Sequence, residues 1–396
     1  MAKQPKPALL ILNQMAGPMT WELAEDLGNA FGSVALLTGH PDTLQKSHPN
    51  VQLFAAKAYE RGSFVRRAIT WLHYCWQAFW WIWRWPKETP LLLFSNPPIL
   101  VWLGRVVQML RGQKYAVMVH DIYPDVLVRT HVFPEHHLLM RLWRRLNRSA
   151  YEHASVVMTL GEFMAATLVK QFDVSKTPGC KIEVIPPWVD TDVIKPIPKA
   201  ENWFAKQYNQ VDKLTVMYSG NMGLGHDIET MIGAARQLHH RDDIHFMFIG
   251  AGPKWQLVNE VVTSEALPNV TLLGWQPEEV IPYSLAAADV ALVSLEPEFE
   301  GIMVPSKASY NIAVGATLVL LASNNNEWSM WIQDYQCGDL SEPGNINSLV
   351  KTIIDLAKDR RKLKNCHNSS LCAASEFFSR RTCSNWISSL IKLSCA

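Results

Sequence analysis

Three short runs hold the residues whose types and spacing could do chemistry. The first, Leu295-Glu-Pro-Glu-Phe-Glu300-Gly301-Ile-Met-Val-Pro305-Ser306-Lys307, is a carboxylate-rich loop that ends in a Pro-Ser-Lys turn ahead of a helical pattern. A lysine beside a helix N-terminus is placed to neutralise a diphosphate, Ser306 can hydrogen-bond it, and Glu300 suits a ribose or sugar hydroxyl. The second run is Val216-Met-Tyr-Ser219-Gly220-Asn221-Met-Gly223-Leu-Gly-His226. Its glycines let main chain come close to a ligand, and the helix that follows offers N–H groups to a phosphate. The third, Val119-His120-Asp121-Ile-Tyr-Pro-Asp125, sets a histidine beside a carboxylate. Histidine exchanges protons near neutral pH, and an aspartate can orient it or hold a substrate hydroxyl. Adjacent side chains on an extended backbone point opposite ways, so the two are expected to serve different tasks.

Each run also has a plainer account. Any parallel α/β protein needs glycines where a strand turns into a helix, and Ser306 could simply cap a helix with Lys307 in solvent. Lesser signals stand elsewhere. Gly17, in Ile11-Leu-Asn-Gln-Met-Ala-Gly17-Pro, can approach a ligand or merely make a tight turn. Ile249-Gly250-Ala-Gly252-Pro-Lys254 turns a strand into a helix, yet lacks the third glycine and the ribose carboxylate of a dinucleotide fingerprint. Trp275 offers a flat face to a nucleobase, or a wedge to the core.

Strand ends must position these runs. Apolar segments at 8–12, 34–37, 91–95, 115–120, 156–160 and 182–185 alternate with helical patterns. A proline-dense linker follows, from Pro186-Pro187 to Pro196 and Pro198. Beyond it come 214–218, 245–249, 270–273, 290–294 and 318–321. Two such series imply two doubly wound parallel sheets, with ligands at the carboxyl ends of strands and a cleft between the domains as the expected site. A last amphipathic helix, running from Glu376 through Trp386 and Leu390, is expected to return to the N-terminal domain.

Composition narrows the class. A chain of 396 residues is too long for one ordinary core. With 48% hydrophobic and 18% charged residues it is not a disordered chain, and a formal charge of +1 excludes nucleic-acid binding driven by net charge. Seven cysteines, at 75, 180, 337, 366, 372, 383 and 395, form no CxxC pair and no metal-ligand spacing with histidine, which suits reduced thiols in the cytosol. The apolar run at the N-terminus is too short for a signal peptide. Residues 68–85 hold six of the sixteen tryptophans. His73, Gln77 and Arg84 interrupt that segment, and tryptophan favours the headgroup interface, so it is expected to lie on a membrane rather than cross one. Residues 136–148, where leucines alternate with Arg141, Arg144, Arg145 and Arg148, read as a basic interfacial helix. Two core helices are the plainer account of both segments.

Taken together, Tyr218-Ser-Gly-Asn-Met-Gly223, Val304-Pro-Ser-Lys307, His120-Asp-Ile-Tyr-Pro124, Asn96-Pro-Pro98 and Ile185-Pro-Pro-Trp-Val-Asp190 resemble the group 1 glycosyltransferases, family 4, of the GT-B fold. Within them the bacterial exopolysaccharide and colanic-acid type is the nearest in pattern. The resemblance implies an α/β protein of two Rossmann-like domains, with 1–190 an acceptor domain, 191–375 a nucleotide-sugar domain and 376–396 a returning helix. It implies a retaining hexosyltransferase that takes a UDP- or GDP-sugar as substrate, with no cofactor and no essential metal. Asp190-Thr-Asp192, which looks like the metal-binding DxD of other glycosyltransferases, is discounted accordingly. A saccharide or polyprenyl-linked acceptor is implied, with no nucleic acid, in a cytoplasmic protein peripheral on the inner face of the plasma membrane. Front-face substitution then assigns His120, Asp121 and Lys307 to catalysis, and Gly17, Ser219, Gly220, Asn221, Gly223, Gly252, Trp275, Glu300 and Ser306 to the donor.

The departures shape the expectation. Many members carry an arginine after the strand glycine and a lysine a turn later, where this chain has Asn221 and His226. The compensating charge then falls to Lys307. Of the family's two glutamates seven residues apart, Glu300 fits the first, while the second place falls on Ala308 or Tyr310. A nucleotide-sugar 2-epimerase of the same fold and an inactive membrane-associated partner protein stay open as alternatives. A nicotinamide-dependent oxidoreductase would need a complete dinucleotide fingerprint.

Overall fold

The computed structural model describes residues 6–60, 62–171, 181–223 and 225–395; Cys180 and Leu224 of the glycine run lie outside the described residues. The chain divides into two compact units. The first comprises residues up to Pro186, with Gly301–Met303 and the stretch from Arg380 onward, and the second Pro187–Glu300 with Val304–Ser379.

In the first unit, strands β1 (Leu9–Leu12), β2 (Val34–Thr38), β3 (Val51–Ala55), β4 (Leu91–Phe94), β5 (Tyr115–Val119), β6 (Val156–Thr159) and β7 (Lys181–Val184) form one parallel sheet in the order β3-β2-β1-β4-β5-β6-β7. Strands β1, β2, β4, β5 and β6 are buried at every residue. A parallel sheet covered on both faces demands such unbroken apolar runs. The crossovers include helices α1 (Pro18–Phe31), α2 (Phe64–Ile82), α3 (Leu100–Arg111), α4 (Asp125–Arg129), α5 (Leu138–Glu152) and α6 (Glu162–Gln171). The peptide bonds Asn96–Pro97 and Tyr123–Pro124 are cis.

The second unit repeats the plan. Its parallel sheet has the order β10-β9-β8-β11-β12-β13, built from β8 (Leu214–Asn221), β9 (Ile244–Ala251), β10 (Val270–Leu273), β11 (Val290–Ser294), β12 (Thr317–Leu321) and β13 (Gly338–Ser341). Helices α7 (Trp203–Gln207), α8 (Ile228–Gln237), α9 (Trp255–Glu265), α10 (Ile281–Leu285), α11 (Lys307–Ala313), α12 (Glu327–Tyr335), α13 (Ile346–Lys358) and α14 (Arg360–Glu376) accompany it, and α15 (Arg380–Cys395) closes the chain in the first unit.

Four expectations need correction. Strands β3 and β13 escaped the pattern because both are edge strands: Val-Gln-Leu-Phe-Ala is mostly half-buried, and Gly-Asp-Leu-Ser has no apolar run. Strand β8 does not stop at Tyr218 but pairs on through Gly220↔Gly250 and Asn221↔Ala251, so Ser219, Gly220 and Asn221 are strand rather than loop. The last helix begins at Arg380, since Phe377 and Phe378 interrupt it and Phe378 stacks on Trp328 with centroids 5.1 Å apart. The proline stretch is not a solvated tether at its start: Trp188 and Val189 are fully buried, and Val189 bridges to Ser379. Within the first unit, Arg380 holds α15 to α1 through Asp26, at 2.9 Å from each oxygen, and through Glu25 at 3.0 Å.

Candidate active site

In the second unit the glycines of β8 and β9 meet. Gly220, Gly250 and Gly252 all have positive φ, at 136°, 135° and 143°. A Cβ at Gly250 would stand 2.0 Å from the Gly220 carbonyl oxygen, and one at Gly252 would stand 2.6 Å from that of Met222. No side chain fits between the two strand ends, so main chain lies bare there. Beyond β8 the turn is pinned at both sides: Met222 N–H donates to Ala251 O at 2.8 Å, and Glu296 N–H donates to Gly225 O at 3.1 Å.

Lys307, the first residue of α11, reaches over this glycine pair. Its Nζ donates to Tyr218 Oη at 2.5 Å and lies 3.9 Å from the centre of that ring, while the space above Gly220 Cα is within 3.6 Å of Nζ. The Tyr218 hydroxyl in turn donates to Asn221 O at 2.7 Å. Neither neighbour carries a negative charge. No ion pair holds Lys307 among the described residues, and burial pulls its pKa from 10.5 down to about 7. The solvated lysine of the plainer account is therefore not what the fold provides. Ser306 is exposed and makes no capping bond to α11, so its hydroxyl is not spent on the helix.

The helix start after the glycine turn is already used. Asp227 caps α8 by accepting from Thr230 N–H at 3.0 Å, its other oxygen accepts from Gly344 N–H at 2.8 Å, and Glu229 occupies the first turn. Acids at that position consume the positive end that a phosphate was expected to find. Lys254 does not fill the gap, because it is bound to Glu229 at 2.8 Å and to the His226 carbonyl at 2.7 Å. His226 donates through Nδ1 to Ser294 O at 2.9 Å, a tautomer set by that carbonyl acceptor, which leaves Nε2 as an acceptor. Burial, helped by the Lys307 and Lys254 charges, lowers its pKa to about 4, so it is neutral at physiological pH. Among these groups Lys307 alone is a cation without an acid.

The remaining predicted residues scatter around this centre. Glu300 is spent in part on structure: it accepts from Ser323 N–H at 2.9 Å and from Ser323 Oγ at 2.7 Å, in the turn between β12 and α12. Each carboxylate oxygen keeps a second lone pair. Trp275 is 62% exposed on the loop after β10, two strands from β8, so it is a surface aromatic and not a core wedge. Gly223 lies in the turn, with Asn221 Nδ2 2.8 Å from where its Cβ would be. Asp190 and Asp192 form a local turn, Asp192 N–H donating to Asp190 Oδ1 at 3.0 Å.

In the first unit His120 follows β5. Its N–H donates to Ser95 Oγ at 2.9 Å, its ring meets Phe94 edge-on at 5.4 Å, and its Nε2 is buried with no partner among the described residues. Burial takes its pKa down to about 4 and raises that of Asp121 to about 6. Asp121 pairs with Met303 in an isolated bridge, and the Ile122 N–H donates to Ile302 O at 2.9 Å. Gly17 is the N-terminal cap of α1, with nothing within 4 Å of where a Cβ would stand, so space inside the chain does not demand a glycine there.

Sequence reasoning passed over Tyr218, Asp227, Ser323 and the pairing of Lys254. Tyr218 reads as one more apolar strand residue, and its partner lies 89 positions away. Asp227 carried a usable signal, an aspartate three residues before Thr230 at a helix start.

The chain can now be set beside known proteins. Family models described as Glycosyltransferase Family 4 and Glycosyl transferases group 1 match residues 16–193 and 213–359. The Pseudomonas aeruginosa protein named "Probable glycosyltransferase WbjE" is 26% identical over 264 residues, covering 67% of this chain and 65% of its own length. WcaI of Escherichia coli, named for colanic acid biosynthesis, is 27% identical over 151 residues, 37% of either chain. The chain thus spans less than two thirds of the length of these relatives. Among solved structures, HepE of Anabaena in complex with UDP and glucose superposes with a TM-score of 0.73 at 16% identity, over 97% of this chain and 99% of its own. That likeness is one of fold, two parallel-sheet Rossmann-like domains. By its two matched domains and its architecture, the chain belongs to the group 1, family 4 glycosyltransferases of the GT-B fold.

Proposed function

We propose that the protein moves a sugar from a nucleotide-sugar donor to a saccharide or lipid-linked acceptor, with retention of anomeric configuration, in cell-surface polysaccharide synthesis at the cytoplasmic face of the plasma membrane. One observation carries this reading: Lys307 is partly buried, has no ion-pair partner among the described residues, and stands over the bare main chain of Gly220. A cation held that way is stabilised by an anion from outside, and a diphosphate offers one of the right size.

The chemistry follows from where charge grows. The bond between the sugar C1 and the leaving oxygen breaks, and its electron pair goes to the diphosphate. An acceptor hydroxyl oxygen bonds to C1 from the same face, and its proton passes to the departing phosphate oxygen. The chain must stabilise the developing phosphate charge, which is electrostatic preorganisation. We assign that task to Lys307 with Ser306 and the main chain of Ser219, Gly220, Asn221 and Gly223. Gly252 keeps the approach open, Glu300 holds a hydroxyl with its free lone pairs, and Trp275 stacks on the base. Asp121 and His120 serve the transferred sugar and acceptor, His120 as a neutral hydrogen-bonding partner through Nε2, and Gly17 lets main chain approach the donor.

The test is a panel of UDP- and GDP-sugars incubated with the protein, with nucleoside diphosphate release followed with and without membrane lipid extract. Release from one donor, stimulated by the extract, is expected. Absence of release from every donor, or formation of an epimerised sugar without acceptor, would overturn the reading.

A further inference from the structure

Three helices of the first unit share one aromatic cluster. Trp143 of α5 meets Trp71 of α2 with centroids 6.4 Å apart and Trp102 of α3 at 5.3 Å, both edge to face, and Trp102 Nε1 donates to Asn147 Oδ1 at 2.6 Å. Near the C-terminal ends of α2 and α3, the Arg111 guanidinium lies 4.7 Å over the Trp83 ring. Each helix thus turns one face inward and one outward.

The outward faces are apolar. On α2, Val65, Ile69, Leu72, Trp76 and Trp80 recur at steps of three and four, with Trp76 63% and Trp80 54% exposed. Helix α5 presents Leu138, Leu142 and Leu146 in the same way. A soluble surface helix places polar residues at such positions, so a continuous apolar stripe marks a contact. From Val65 to Trp80 the stripe is about 23 Å long at 1.5 Å per residue.

The charges on these helices are one-sided. Helices α2, α3 and α5 carry eight arginines and one glutamate, Glu152, in a chain whose formal charge is only +1. Arg144 is paired with Asp125 and Arg148 with Glu152, whereas Arg141 and Arg145 are exposed and have no ion pair among the described residues. A second copy docking on the same face by a twofold axis would bring arginines against arginines. An anionic lipid surface answers both the stripe and the charge. No helix among the described residues is long and apolar enough to cross a membrane, so the contact is one of lying on the bilayer.

We propose that α2 and α5 dock the protein on an anionic phospholipid bilayer, with Trp76, Trp80 and their aliphatic neighbours at the headgroup boundary and Arg141 and Arg145 on lipid phosphates. The proposal deepens the functional reading, because it brings the enzyme to a lipid-borne acceptor. Its test needs neither donor nor transfer, so the two readings fail separately.

The full chain is cosedimented with vesicles of phosphatidylglycerol and phosphatidylethanolamine, and with vesicles of phosphatidylcholine alone. Binding at least tenfold tighter to the anionic vesicles is expected at low salt. Trp76→Ser/Trp80→Ser should lose at least tenfold of that binding, and Arg141→Gln/Arg145→Gln should fall to the phosphatidylcholine level. The second pair keeps the test decisive if the first folds poorly, since both arginines are exposed. Failure of the wild type to bind anionic vesicles, binding that neither variant weakens, or a dimer in sedimentation velocity that the tryptophan variant dissolves without any vesicle binding would overturn the proposal.

Discussion

The Lys307 ammonium sits 2.5 Å from the Tyr218 hydroxyl and 3.9 Å from the centre of the same ring. An aromatic face and a phenol steady a cation without neutralising it. The site therefore holds its charge in readiness for a ligand, and its affinity should depend on protons.

Burial has brought the Lys307 pKa to about 7, so above that pH the free protein must take up a proton before it can offer a full charge. Calorimetric titration with UDP or GDP at pH 8, in buffers of different ionisation enthalpy, should show uptake of nearly one proton per nucleotide. Affinity should weaken by up to about tenfold per pH unit above 7. Binding without proton exchange at pH 8 would count against the assignment.

The same shift has a stability consequence of known sign. An unfolded lysine keeps its proton up to about 10.5, whereas the folded one gives it up near 7, so wild-type stability rises with pH across that window. Lys307→Met removes the buried charge. It should melt higher than wild type below pH 7, with the advantage fading towards pH 10.5.

Gly250→Ala places a methyl 2.0 Å from the Gly220 carbonyl at a φ of 135°. The β8–β9 ends must part or the residue must leave the positive-φ region, at a cost of roughly 2–4 kcal/mol. Denaturant unfolding should register that loss, and nucleotide affinity should fall with it. Gly17→Ala, where a Cβ meets nothing within 4 Å, should leave stability within about 0.5 kcal/mol.

Asp121 ionises near 6 instead of 3.8 because it is buried. Between those values the folded state holds the extra proton, so ionisation costs stability as pH rises, with an upper bound of about 3 kcal/mol reached above 6. Asp121→Asn should be more stable than wild type at pH 7 and lose that margin towards pH 4 in chemical denaturation. Turnover of the wild type should rise through pH 6, and the variant should lack that step.

How far the sequence could carry these conclusions depended on the reach of each interaction. Chain-local features were readable: buried strands as apolar runs, glycines at strand ends, and the Pro-Ser-Lys turn. Strand β8 ran three residues past the expected end because its limit is set by Gly250 on another strand, which permits Gly220 to pair. The α8 N-terminus looked open to phosphate until Asp227 was found bonded to both Thr230 and Gly344, the second 117 positions away. The apolar segment 68–85 could be core or surface by composition. Only packing, of Trp71 against Trp143 and of Trp81 against Phe54, separates its inward tryptophans from its outward ones, Trp76 and Trp80.

The central claim, that Lys307 holds the diphosphate of a nucleotide-sugar donor, is tested most directly by titrating UDP and GDP into wild type and Lys307→Met at pH 7. Because the substitution is expected to stabilise the fold, weakened binding cannot be ascribed to unfolding. The account predicts that wild type binds at least one of the two nucleotides and that the variant binds it at least about thirtyfold more weakly, about 2 kcal/mol. Equal affinity of the two proteins, or no binding by wild type, would contradict it.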